Sequence, residues 1–374
     1  MLKRFYNFNR LIKKQKVLVV YGPRRVGKTT LLNEFLKNTK LKYKLDSGDN
    51  MKIQQILSSQ DFKQIKEYAE GYNLIAIDEA QQIPNIGLGL KILVDQMPNL
   101  TVIVTGSSSF DLSQKIGEPL TGRKKTIILF PLAQMELRDK FNKYELKERL
   151  EDFLIFGSYP EVITAKSRQG KIEVLEELVN SYLLKDVLTL DKIKSSQQLL
   201  NLLKLIAFQV GSQVSLSELA SQVKLDVKTV DRYLDILEKS FVIKRLGGFS
   251  RNLRQEVISK AKYYFLDNGV RNALISQFNK LNDRNDTGAL FENFMFAEKL
   301  KANAYKNKGV AIYFWRTYAG QEIDLIEEGQ GNLSGYEFKW SAKIKTKSPK
   351  DWFKNYPQAK YKIVHQENYL DFVL

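Results

Sequence analysis

Two sets of residues in this chain have the types and spacing to handle phosphate. The first is Gly22, Pro23, Arg24, Arg25, Val26, Gly27, Lys28 and Thr29, followed by Thr30, the pattern G-x-x-x-x-G-K-T of a phosphate-binding loop. Glycines there let successive backbone N–H groups wrap an anion, Lys28 can reach the β- and γ-phosphates, and the Thr29 hydroxyl can ligate magnesium. The second set is Asp324 followed thirteen residues later by Glu337 and then Lys339, with Glu292 upstream as a further carboxylate. Carboxylates so placed can hold a divalent ion that activates water against a phosphodiester, while a lysine orients the hydroxide. A hairpin with charges on its wet face would show the same letters, so both readings of this second set stand.

The elements that must position the first set are legible around it. "KVLVVYG" is a β-type run that ends on the glycine turn, and "KTTLLNEFL" continues as an amphipathic helix whose N-terminal dipole favours an anion. Some fifty residues on, "NLIAIDEAQQIP" reads as a buried strand of a parallel sheet ending in Asp78 and Glu79. Asp78 suits a water-bridged magnesium contact and Glu79 suits polarising the attacking water. A third strand, "LTVIVTGSSSF", ends in Thr105, Gly106 and Ser107, where the Ser107 hydroxyl could sense a γ-phosphate.

Composition narrows the chemistry. The chain has 374 residues, room for two or three domains, and no cysteine, which excludes disulfides and thiolate zinc sites. His365 is the single histidine, so any metal would be held by oxygen ligands, which points to Mg²⁺ or Mn²⁺. No apolar run reaches the ~18 residues of a membrane span, and "MLKRFYNFNR" lacks the apolar core of a signal peptide. A cytoplasmic location without a membrane partner is expected. The net charge is +17, with thirteen Lys/Arg in residues 1–50 and eight Lys in residues 335–363. Such stripes attract polyanions, DNA first, through counterion release, although a lysine-biased surface serves solubility as well.

Residues 133–195 read as helical, with amphipathic stretches around Tyr144–Phe156 and Ile172–Val187, and would form a lid over a nucleotide. Residues 196–260 have helix-turn-helix spacing. Asp226 can cap a helix whose Val227, Val230, Leu234 and Leu237 make one apolar stripe, and a β-type run with the Gly247–Gly248 turn follows as a wing. Arg251, Arg254, Lys260 and Lys262 beyond it could face DNA, while Asp231 and Asp235 on the helix's polar side would oppose that. Residues 261–374 read as a long helix carrying Glu292, then three strands, with Glu322 and Asp324 on one face of theirs.

The run "YGPRRVGKTTLL … AIDEAQQIP … VTGSSS … LTGRKKTIILFPL" resembles an AAA-type ATPase of the STAND-like archaeal and bacterial group, in which the P-loop domain is joined to a C-terminal region of unknown function. The later runs "FGSYPEVI", "KTVDRYLDILEKSFVIKRL", "FENFMFAEKL" and "EIDL … YEFKW" resemble that C-terminal region in order. The resemblance implies an α/β fold: an AAA-type P-loop sheet over residues 1–132, a helical lid over 133–195, a winged helix over 196–260, and a smaller PD-(D/E)xK endonuclease-like domain over 261–374. It implies ATP and Mg²⁺ as cofactors, with Thr29 and Asp78 as metal contacts, and makes Arg123 of the "TGR" turn a trans or sensor arginine. A basic strand end beside Lys124 and Lys125 explains Arg123 equally well. At the C-terminal set it implies Mg²⁺ or Mn²⁺ on Glu292, Asp324 and Glu337, although Ile323 stands where that motif has proline. The function expected is an ATPase acting on DNA, with homo-oligomers compatible. The alternative is a STAND-like switch, using ATP for regulated assembly, whose nuclease-like domain does no chemistry.

Overall fold

In the computed structural model, residues 2–107, 119–183, 196–251, 260–344 and 348–374 are described. They form two compact units, one of Arg4–Phe130 with Lys239–Phe241, the other of Met1–Lys3, Pro131–Glu238 and Val242–Leu374. No helix among the described residues is long and apolar enough to cross a membrane.

The first unit runs β1 (Val17–Tyr21), α1 (Lys28–Asn38), β2 (Tyr43–Ser47), α2 (Met51–Ser58), α3 (Phe62–Ala69), β3 (Leu74–Asp78), α4 (Ile86–Gln96), β4 (Thr101–Gly106) and β5 (Lys124–Ile128). Its five strands lie in the order β2-β3-β4-β1-β5 and all neighbours are parallel. The central strands are buried on both faces, which is why their sequences are unbroken apolar runs rather than alternating ones. Val17, Val19, Ile75, Ile77, Val102 and Val104 of the strands share one core with Ile53, Leu57, Ile65 and Leu90 of the helices. Because every strand points the same way, the loop after β1, the end of β3 and the end of β4 gather at one edge, where ligands of open α/β sheets bind.

The second unit begins with short helices, among them α5 (Leu150–Phe156) and α6 (Arg168–Glu177). Then follow α7 (Ser196–Phe208), β6 (Gln213–Val214), α8 (Leu216–Val223), α9 (Val227–Lys239), β7 (Ile243–Gly247), β8 (Ala261–Phe265) and α10 (Asn268–Leu274). The three strands pair antiparallel in the order β6-β8-β7. After them come α11 (Thr287–Tyr305), β9 (Ala311–Arg316), β10 (Glu322–Gly329), β11 (Asn332–Phe338), α12 (Lys350–Asn355), β12 (Lys360–Val364) and α13 (Tyr369–Val373). This is a mixed sheet, β12-β11-β10-β9, with only the β11–β12 pair parallel.

The helices read as a nucleotide lid pack within this second unit. Phe153 stacks on Phe294 of α11 and Phe156 on Phe278, at centroid distances of 6.2 and 6.0 Å. The side chains of Asn268 and Asn272 donate to the last carbonyls of α5, Leu154 and Ile155, closing that helix end with partners far along the chain. Part of the Ile172–Val187 stretch, residues 184–187, lies outside the described residues. On α9 the apolar stripe holds at Val230, Leu234 and Leu237, all buried, whereas Val227 is 44% exposed. It occupies the first position of the helix, before the stripe turns inward. Asp226 caps that helix as expected, accepting from Thr229 N at 2.8 Å and Thr229 Oγ1 at 2.6 Å.

Candidate nucleotide site and the acidic cluster

The phosphate loop takes its shape from two glycines. Gly22 has φ +153°, and a Cβ there would lie 2.1 Å from the Leu129 carbonyl oxygen, so β1 can leave the sheet only through glycine. Gly27 caps α1 at φ +93°, a left-handed conformation that turns the chain into the helix. Between them, the buried Lys28 ammonium donates to the Gly22 and Pro23 carbonyls at 2.9 and 2.8 Å, which holds it inside the loop. Arg4, unremarked in the sequence, braces the same loop: Nη1 donates to the Val26 carbonyl at 2.5 Å and Nη2 to the Phe130 carbonyl at 2.7 Å.

At the end of β3 the residues read from separate stretches meet. Thr29 Oγ1 donates to Asp78 Oδ2 at 2.7 Å. A hydroxyl and a carboxylate in contact at a helix N-terminus are the hard oxygen donors magnesium takes, so this pair fits the ion. The other Asp78 oxygen accepts from the hydroxyl of Thr105, a fully buried residue on β4. Glu79 has φ +49°, a left-handed conformation that costs a non-glycine residue about 1 kcal/mol or more and that clusters at functional sites. Its backbone N–H is held by Asp78 Oδ1 at 3.2 Å and Thr105 Oγ1 at 3.3 Å. The Gln81 amide donates to Glu79 Oε2 and, at 3.2 Å, to Ser107 Oγ. Ser107 is therefore tied to Glu79 through Gln81. Gln81 carries no signal of its own in the sequence, and Thr105 is legible there only as part of a polar strand end; the link each makes to the carboxylates appears only in the fold.

Arg123 is not brought to this edge. It precedes β5, whose first residue pairs with Val17, the first residue of β1, so it sits at the far end of the strands. Five strand residues separate it from the loop, roughly 16 Å at ~3.3 Å per residue. Its Nε instead donates to Asp95 Oδ1 at 2.6 Å.

In the second unit the pairing of Leu325 with Tyr336 puts Asp324 and Glu337 at the adjacent step of one hairpin. Asn293 on α11 bonds the backbone of Phe265 in both directions, at 2.7 and 3.0 Å, and thereby sets Glu292 beside β8. The carboxylates of Glu292, Glu322 and Asp324 converge there, but on an amine. Lys262 Nζ lies 2.6 Å from Glu322 Oε1, 3.2 Å from Glu292 Oε1 and 3.8 Å from Asp324 Oδ1, and only 2% of the residue is exposed. Tyr264 Oη donates to Glu292 Oε1 at 2.6 Å, and the Phe338 N–H to Asp324 Oδ2 at 2.7 Å. Lys339 pairs with Glu337 Oε1 at 2.7 Å, and Glu337 Oε2 is buried with no hydrogen-bond partner.

The electrostatics follow from this crowding. Burial alone would lower the Lys262 pKa, but Glu292, Tyr264, Asp324 and Glu322 together raise it well above the ordinary value. Burial first, and then the charges of Glu292 and Glu337, push the Asp324 carboxyl well above its usual range. Burial also raises Glu337, against the opposing pull of Lys339.

The divalent ion expected on Glu292, Asp324 and Glu337 does not fit the residues as arranged. Among the described residues no three carboxylate or imidazole groups have the spacing to hold one ion. A 2+ ion about 4 Å from the ammonium would meet a repulsion on the order of 8 kcal/mol at an effective dielectric of ~20, offsetting the attraction of one carboxylate at the same distance. Lys262, expected among basic residues facing DNA, is inside the protein. Arg254 lies outside the described residues. Arg251 pairs with Glu328 at 2.5 Å, and Lys260 is exposed.

A family model described as an AAA domain matches residues 14–138. Models described as domains of unknown function match residues 147–281 (DUF8612) and 287–372 (DUF4143). An uncharacterized protein of Mycobacterium tuberculosis is 28% identical over 334 residues, covering 88% of this chain and 71% of its own. One from Methanocaldococcus jannaschii is 24% identical over 335 residues, covering 84% and 73%. A solved signal-transduction ATPase with numerous domains and a tetratricopeptide repeat sensor, from Pyrococcus horikoshii, is 16% identical. The match covers 76% of this chain and 43% of that one with a TM-score of 0.28. With the AAA match over residues 14–138, the five-stranded parallel sheet of the N-terminal unit is consistent with the fold of an AAA-type P-loop domain.

Proposed function

We propose that the protein binds and hydrolyses Mg-ATP at the edge formed by β1, β3 and β4. The observation that carries this reading is the meeting of Thr29 with Asp78 at 2.7 Å beside the Lys28-filled loop. Lys28 would neutralise charge on the β- and γ-phosphates, and the loop N–H groups with the α1 dipole would hold their oxygens. Thr29 and Asp78 would hold the magnesium ion, which supplies charge neutralisation between those phosphates. Glu79, fixed by Gln81, would take up the proton of an attacking water. Ser107 would report on the γ-phosphate through the same glutamine. Arg123, remote from its own loop, fits a role toward a neighbouring copy if the protein assembles. The test is Mg²⁺-dependent ATP turnover by the full chain, compared with Lys28→Ala; equal turnover would refute the assignment.

We further propose that the second unit binds nucleic acid on a basic surface without cutting it. Lys343, Lys350, Lys354, Lys360 and Lys362 are exposed, and Lys360 and Lys362 share one face of the edge strand β12. The order of α7, β6, α8, α9 and β7 supports a winged-helix reading of residues 196–260, with β8, the strand paired to β7, just past that segment. Binding should weaken at least tenfold between about 50 and 200 mM salt, with little sequence preference. Salt-insensitive binding, or none, favours the second reading, a STAND-like switch in which ATP governs assembly. The amine seated among the carboxylates supports that reading too, since a switch needs no nuclease chemistry.

A further inference from the structure

The residues that a metal-dependent phosphodiesterase would use are present in the second unit, yet a different cation stands among them. We infer that the ammonium of Lys262 is the resident cation of the Glu292–Glu322–Asp324 cluster, so that the cluster is a metal-independent clamp joining β8 to α11 and β10. Three observations converge on this. Lys262 reaches a carboxylate on α11 and two on β10, so one side chain on β8 closes charges from two other elements. It is at once nearly inaccessible and ion-paired, the condition under which a buried lysine keeps its charge. Each of the three carboxylates also meets a second donor. Tyr264 Oη occupies Glu292, the Phe338 N–H occupies Asp324 Oδ2, and Arg316 Nη1 approaches Glu322 Oε2 at 3.5 Å.

The neighbouring backbone is built to the same end. Phe249 N donates to the Phe314 carbonyl at 2.7 Å, and Gly248 bridges to Phe314, so the chain leaving β7 joins β9 directly. The Lys262 ammonium also lies 5.7 Å from the centre of the Phe314 ring, whose face attracts a cation. The lysine therefore stands where the three-stranded sheet and the mixed sheet are already held together. An arriving divalent ion would have to expel the ammonium and leave that junction without its counter-charge.

The inference is independent of nucleotide hydrolysis, and its test uses none. The full chain, free of nucleotide, is titrated with Mn²⁺ while free ion is followed by electron paramagnetic resonance and stability by thermal melting. Wild type should bind no Mn²⁺ that Asp324→Asn removes, and the two proteins should show the same Mn²⁺ dependence of melting. Lys262→Met, which keeps most of the side chain's length and removes its charge, should gain Mn²⁺ binding at least tenfold tighter than wild type, and adding Asp324→Asn should abolish that gain. Mn²⁺ binding by wild type that Asp324→Asn abolishes would overturn the inference, as would a folded Lys262→Met that gains none. If Lys262→Met does not fold, the comparison of wild type with Asp324→Asn still decides.

Discussion

The Thr29 hydroxyl donates to the carboxylate of Asp78 at 2.7 Å, across forty-nine residues of sequence. One residue opens the helix that follows β1 and the other ends β3, a strand separated from β1 in the sheet by β4. The parallel direction of all three strands brings the two together. Removing either should therefore weaken the response to magnesium more than the grip on nucleotide. Thr29→Ala and Asp78→Asn are expected to lower turnover at saturating ATP by about 100-fold or more. Affinity for ATP in EDTA should change only a few-fold. A fluorescent nucleotide titrated with and without Mg²⁺ separates the two effects.

Glu79 should be needed for the chemical step alone. Glu79→Gln keeps the shape and both bonds to the strand end but loses the basic oxygen, so turnover should fall by ~10²–10⁴-fold while ATP stays bound. The check is nucleotide retention after gel filtration together with single-turnover hydrolysis. Wild-type turnover in this variant would remove Glu79 from the mechanism.

Gln81 and Thr105 act on that carboxylate and on Asp78 rather than on phosphate. Gln81→Ala frees Glu79 Oε2 and breaks the link to Ser107, and is expected to reduce kcat about tenfold with KM for ATP little changed. A matched rise in KM would instead show that the glutamine shapes the binding loop.

Arg4→Ala should do the opposite. Its guanidinium braces the carbonyls of Val26 and Phe130, so losing it loosens the loop before nucleotide arrives. Two charge-assisted bonds at ~1 kcal/mol net each correspond to a loss of affinity of about ten- to thirtyfold. Isothermal titration with Mg-ATP on the otherwise inactive Glu79→Gln background measures it directly.

The second unit carries a pH-dependent element between its two matched regions. Asp286 pairs with Arg271 at 2.6 Å and with Arg284 at 2.8 Å. Burial would raise its pKa, but the bond from Arg284 and the charge of Arg271 outweigh it and hold the carboxyl below the ordinary value. A carboxyl lowered by folding adds stability above its unfolded pKa of about 3.9, and that stability is lost as pH falls through the folded value. Melting temperature should thus drop below about pH 4 in wild type and drop less steeply in Asp286→Asn. At neutral pH the variant should be less stable by on the order of 3 kcal/mol, because the buried Arg271 keeps its charge and loses its counter-ion.

The phosphate loop was readable because its chemistry is local. Eight consecutive residues carry the turn, the N–H groups, the cation and the hydroxyl, and no distant partner is needed to recognise them. The strand ends carrying Asp78 and Ser107 were legible as strand ends for a related reason, since doubly buried parallel strands leave unbroken apolar runs whose last polar residue marks the edge of the sheet. The tertiary structure decided matters of partnership. Arg123 follows a glycine turn as a site arginine could, but the parallel pairing of β5 with β1 sends it to the other end of the sheet. Arg4 reaches Phe130 over 126 residues, a distance no local pattern encodes. Lys262 is the clearest case. All five residues of β8 are buried, so no alternation of polar and apolar residues marks which side chains turn inward, and its lysine reads like any basic surface residue. Only when α11 and β10 are folded against that strand do Glu292, Glu322 and Asp324 surround the amine. A chain can spell the carboxylates of a metal site, but which cation they receive depends on what the fold places between them.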